Sequence, residues 1–135
     1  EAVKAELQRA ADASPWNATV LSLLANIALS EGRYGEGRDL LLRGLRLMPG
    51  LGRAHERLGL IALEEGRPHD ALREFQRERA QDPRGARVAF LIGRTWQQLG
   101  DLPRARDWYR HGPRFDPGDQ EAQDSLRATE RRLGR

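Results

Sequence analysis

The sequence predicts an all-α chain of antiparallel helix pairs built on a repeat of 34 residues. Three observations carry this. Pro15, Pro49, Pro83 and Pro117 fall at a constant step of 34. Other columns keep the same step: Gly32, Gly66 and Gly100; Leu24, Leu58 and Ile92, each followed by a small residue (Ala25, Gly59, Gly93); and Leu41, Phe75 and Tyr109, which Leu7 extends backwards. Between these marks the apolar residues recur with helical periodicity, and a repeat period in this range identifies stacked supersecondary units.

Each column has a physical role. The recurring Gly can end a first helix in a left-handed conformation. Pro68 and Pro103 stand near the start of the following helix, where a missing N–H costs little. Small residues let two backbones approach, and the large column fills the space between antiparallel partners. Asp82-Pro83 and Asp116-Pro117 punctuate the passage to the next unit. The predicted helices span about 1–13, 18–31, 34–47, 52–65, 68–81, 86–99, 102–111 and 119–133. Helix seven is expected to stop at His111, with Gly112 as a left-handed cap and Pro113 beyond it, because an interior proline removes a hydrogen bond and clashes with the preceding turn. Phe115 is expected to keep its core slot.

Composition sets the remaining bounds. The 135 residues are 39% hydrophobic and 32% charged, enough for a folded chain but polar for a compact globule. No apolar run is long enough for a membrane span. Cysteine is absent, so disulfides and thiolate metal sites are excluded. The net charge of +3 rests on arginines spread among 20 acidic residues, with Lys4 the only lysine. This reads as a solvated surface and disfavours nucleic acid as a partner. His55, His69 and His111 lie far apart without ligand-like spacing. "GRYGEG" lacks the Lys-Ser/Thr of a phosphate loop. Ser22, Ser30 and Ser125 have no base at hand. No catalytic centre, metal or cofactor is called for.

The pattern resembles the tetratricopeptide repeat, with "FLIGRTWQQLGDLPRARDWY" as its fullest match, and the resemblance extends along the whole sequence. It implies a right-handed α-solenoid: a single domain over 1–135 with repeats at about 18–51, 52–85 and 86–117, an orphan second helix at the start and a capping helix over 119–133. Such an array holds together through neighbouring helices. The last helix carries one apolar stripe, Ala122, Leu126, Thr129 and Leu133. Charges at Arg127 and Glu130 stand where a following helix would pack, so the array is expected to end there. The first helix has an inward stripe of Val3, Leu7 and Ala10 but no partner helix of its own, so the chain is expected to be a fragment of something that continues upstream.

The resemblance also implies a function. First helices of this family line a concave groove that takes peptides or helices of partner proteins. The corresponding residues are Thr19, Ser22, Asn26, Leu29 and Ser30; Arg53, Glu56, Leu60, Leu63 and Glu64; and Arg87, Phe90, Arg94, Gln97 and Gln98. Asn26, Leu29, Arg53, Glu56, Leu60, Leu63, Arg87, Phe90 and Arg94 are the expected partner-binding set. Leu29, Leu60 and Phe90 form an apolar diagonal, which points to apolar anchors in the ligand. Arg53, Arg87 and Arg94 point to acidic groups in it. Ser22, Asn26, Arg57, Arg87 and Leu91 fit the family's carboxylate clamp poorly, and the column Asn26, Leu60, Arg94 lacks its asparagine ladder. The expected function is therefore a non-catalytic protein–protein interaction module. The alternative is a regulatory or scaffolding domain of an enzyme whose catalytic part lies upstream of residue 1. Self-association through the open first helix is a further route.

Overall fold

The computed structural model describes residues 2–115 and 120–134, with side chains at all of these except 86 and 112–115. Eight helices are described: α1 (Ala2–Ala13), α2 (Ala18–Ser30), α3 (Tyr34–Leu47), α4 (Ala54–Glu64), α5 (Pro68–Gln81), α6 (Ala86–Gln98), α7 (Leu102–Phe115) and α8 (Gln120–Arg132). There is no strand among the described residues. The chain forms two compact units, Glu1–Ile61 and Ala62–Arg135.

The glycine column acts as expected. Gly32, Gly66 and Gly100 have φ of 76°, 73° and 87°, a region that costs other residues a Cβ clash. Beyond each glycine, the next N–H reaches back to the helix: Arg33 to the Ala28 carbonyl at 2.8 Å, Arg67 to Ala62 at 2.8 Å and Asp101 to Trp96 at 2.9 Å. Together with the bonds from the glycine N–H groups to Leu29, Leu63 and Gln97, this is a full Schellman cap three times over. The starts are more varied. The Asn17 side chain caps α2 by accepting from the Val20 N–H. Asp101 does the same for α7 through the Arg104 N–H, and Pro68 opens α5.

In the first unit Ala18, Ala25, Leu41, Leu51, Ala54, Leu58 and Ile61 form one buried cluster. The repeat is locally altered here. Leu51 holds the column of Asn17 and Gly85, which begin helices, but Leu51 turns into the core against Gly44. Arg53 then takes a left-handed φ of 60°, and α4 starts at Ala54, two residues later than the periodicity predicts. The inward stripe of α1 also needs correction. Val3 is 64% exposed and Ala10 is exposed; Lys4 and Leu7 are half-buried and Ala11 is buried. The half-buried lysine brings its amine to Glu31 at 3.2 Å, as a long side chain can when its stem is covered and its charge is kept at the surface.

In the second unit α6 is buried on several sides: Val88, Ala89, Phe90, Leu91 and Ile92 are all in the core. Helix α8 buries Ala122 and Thr129, while Leu126, Glu130 and Leu133 are half-buried and Arg127 is exposed. Helix α7 departs from expectation. It runs without a break through Gly112-Pro113 to Phe115 rather than stopping at His111. Pro113 withholds the N–H that would reach the Tyr109 carbonyl, but only two helical residues follow it and its fixed φ is compatible with the helix. The core slot expected for Phe115 concerns a side chain outside the described set, and Asp116-Pro117 lies outside the described residues.

Candidate functional site

The expected binding face divides into columns of unlike burial. At its head, Thr19, Arg53 and Arg87 are exposed. The next column, Ser22, Glu56 and Phe90, is buried at 8%, 4% and 2% exposure. Glu56 and Phe90 therefore leave the set of exposed groove contacts. The Arg53 guanidinium covers the Glu56 carboxylate at 2.8 Å, and the Arg57 guanidinium donates to the Ser22 hydroxyl at 2.8 Å. Phe90 packs beside Tyr109 with ring centroids 5.7 Å apart, and the Arg87 guanidinium lies 5.8 Å from the Phe90 ring. Asn26, Leu29, Leu60 and Leu63 are half-buried, while Arg94, Gln97 and Gln98 are exposed.

The arrangement in the second unit begins in its core. Gly93 lets the Tyr109 ring lie against the α6 backbone; a Cβ there would stand 2.6 Å from Cδ1 and Cε1. Tyr109 is wholly buried, yet its hydroxyl reaches the α6 surface and donates to Gln97 Oε1 at 2.5 Å. Burial pushes the phenol up to about 12, against a small opposing influence from Arg94, so it remains a donor at neutral pH. With its oxygen held, Gln97 keeps its amide N–H groups for another acceptor. Gln97 lines a cavity of about 290 Å³ together with Arg94, Gln98 and Arg132. Among the described residues neither Arg94 nor Arg132 meets a carboxylate, whereas Arg87 lies 3.8 Å from Glu121 and Arg127 lies 2.7 Å from Asp124. Arg132 was missed in the sequence reading because α8 reads as a plain cap. The 34-residue step does place it in the column of Ser30, Glu64 and Gln98.

Residues 56–120 match the family model of the tetratricopeptide repeat. Over these residues the chain carries tetratricopeptide repeats. No curated protein matches the sequence. Among solved structures, MamA from Desulfovibrio magneticus RS-1 superposes with a TM-score of 0.86 at 19% identity, over 97% of this chain and 74% of that one. The first tetratricopeptide domain of Spaghetti (RPAP3), bound to the HSP90 peptide SRMEEVD, gives 0.81 at 19% identity over 87% and 94%. YrrB, a tetratricopeptide protein with an unusual peptide-binding site, gives 0.76 at 21% identity over 97% and 68%. At these identities the likeness is one of fold: the all-α class of the tetratricopeptide solenoids.

The cavity joins α6 to α8. Two guanidiniums and two amides give it many donors, a set matched to anionic oxygens. Among the described residues no three His, Cys, Asp or Glu side chains are grouped to hold a metal ion, and no helix is long and apolar enough to cross a membrane.

Proposed function

We propose that this chain is a non-catalytic protein-interaction module that takes an acidic segment of a partner protein against the exposed faces of α6 and α8. The observation that carries the reading is the cavity between Arg94 and Arg132, two cations without carboxylate partners among the described residues, with Gln97 and Gln98 beside them. At about 290 Å³ it lies just under the range of about 300–1,000 Å³ typical of small-molecule sites, and it suits carboxylate side chains better than a cofactor. In the first unit the corresponding face offers Asn26, Leu29, Arg53 and Leu60 for a polar and apolar contact; Leu63 and Arg87 extend the set in the second. The peptide held by the RPAP3 domain, SRMEEVD, is itself acidic, and YrrB also has a peptide-binding site.

The test is a fluorescence-anisotropy titration with a synthetic peptide rich in Glu and Asp but without large apolar residues, alongside its Gln/Asn counterpart. The acidic peptide should bind, lose affinity as salt rises, and lose about tenfold or more when Arg94→Glu and Arg132→Glu are combined. Equal binding of both peptides, or no loss in the double variant, would sink the reading.

A further inference from the structure

A second surface lies in the first unit, on residues that the tetratricopeptide pattern leaves unexplained. Trp16 is 76% exposed, although it is the largest side chain type in the sequence. It does not dangle. The turn that carries it is fixed by the Ser14 N–H on the Ala10 carbonyl at 2.9 Å and the Asn17 N–H on the Ser14 carbonyl at 3.2 Å, and Asn17 then caps α2. The repeat does not require tryptophan here: one and two steps on, the column holds Gly50 and Arg84. An indole held out in water by a rigid turn adds no burial to the folded chain.

The surroundings complete the surface. Pro15, Trp16 and Leu47 form the apolar walls of a cavity of about 240 Å³, and Arg43 and Arg46 of α3 form its charged side. Leu47 and the adjoining Met48 are 43% and 46% exposed. Among the described residues, neither Arg43 nor Arg46 meets a carboxylate. By contrast Arg33, at the start of α3, pairs with both Glu31 and Glu36. Trp and Arg are the residues most enriched where protein interfaces concentrate their energy, and a rigid apolar wall lowers the ordering cost of binding.

We propose that Pro15, Trp16, Leu47, Arg43 and Arg46 form a second docking surface, for a partner-protein segment in which one large apolar side chain is flanked by carboxylates. The apolar side chain fills the slot against the indole. The carboxylates meet the two guanidiniums, which meet no carboxylate among the described residues. The slot is the size of a side chain, whereas lipid binding calls for a broad apolar face lying in the interfacial plane.

The experiment uses the full chain and a synthetic peptide array. Each peptide places one Leu, Phe, Trp or Pro between Asp and Glu residues, and a matched array carries Asn and Gln instead. The acidic, apolar-centred peptides should be retained and the neutral ones lost. Trp16→Ala and the pair Arg43→Glu with Arg46→Glu should each weaken the best peptide by about tenfold, with helical circular dichroism unchanged. The same losses should appear in a chain that already carries Arg94→Glu and Arg132→Glu, which separates this surface from the one on α6 and α8. The proposal is overturned if no peptide is retained, if neutral peptides bind equally, or if Trp16→Ala has no effect. It is likewise overturned if phosphatidylserine vesicles bind through Trp16, or if Trp16→Ala abolishes self-association detected by sedimentation, since the occupant would then be a membrane or a second copy.

Discussion

Helices α2 and α3 in the first unit and α6 and α7 in the second are built on the same columns and solve the same packing problem differently. The first pair sets Ala25 against the Leu41 column, with Leu29 one turn further along. The second sets Gly93 against Tyr109, with Gln97 in the place of Leu29. Three positions change together because one ring requires it. The larger side chain needs the methyl of Ala removed beneath it, and its hydroxyl needs an acceptor where an aliphatic side chain would serve Leu. The middle repeat reads Gly59, Leu63 and Phe75 in these columns, a ring with its glycine but no hydroxyl and no amide. In the second unit the polar end of a core residue thus becomes part of a surface, and it fixes one wall of the cationic cavity.

The most severe way to break this contrast is Gly93→Ala. The added Cβ would meet a rigid ring and not a flexible chain end, so a loss of about 1–3 kcal/mol is expected in chemical denaturation. Adding Tyr109→Leu recreates the Ala–Leu combination of the first unit. The double variant should lose clearly less than the sum of the two single losses, and strict additivity would refute the coupling.

Tyr109→Phe is milder. It keeps the ring and removes the bond to Gln97, costing about 1 kcal/mol, and it should weaken acidic-peptide binding a few-fold because the Gln97 amide is no longer held. It also changes the response to alkali. The folded-state phenol titrates at about 12 against an ordinary 10.0, so the stability linked to its neutral form is intact below pH 10 and is lost as pH rises through about 12. Thermal unfolding between pH 10 and 12 should therefore fall off more steeply in the parent than in the variant; parallel profiles would contradict the assignment. The smallest effect has the opposite sign. A Cβ at Gly37 would find Leu29 Cγ at 3.5 Å, the Ala25 carbonyl oxygen at 3.6 Å and nothing closer. Gly37→Ala in the interior of α3 should then raise stability, by up to about 1 kcal/mol. A loss there would mean that the first pair is packed as tightly as the second.

Much of the fold could be read from the prolines and glycines, because their backbone demands are local and recur at a fixed step. Where the sequence misled, a tertiary contact had overruled a local rule. Pro113 looked like a stop at His111, but α7 runs two residues past the proline to Phe115. Helix four was expected from about residue 52, but Leu51 turns into the core against Gly44 and α4 starts at Ala54. The stripe expected at Val3, Leu7 and Ala10 instead runs through Lys4, Leu7 and Ala11. The binding face was harder. The resemblance put Ser22, Glu56 and Phe90 on the groove face, whereas the folded chain buries all three. Phe90 is buried by its contact with Tyr109, and Glu56 by the arginine beside it. Arg132 shares a column with Gln98, but only the folded chain brings both to one cavity.

The central claim is that this cavity receives carboxylates from a partner segment, with Gln97 held in place by Tyr109. A crystal structure of the chain with the acidic peptide bound tests it most directly. The account predicts a peptide carboxylate within about 3 Å of the Arg94 or Arg132 guanidinium, with the bond from Tyr109 to Gln97 retained. A peptide seated elsewhere, with Arg94 and Arg132 still facing solvent, would contradict it.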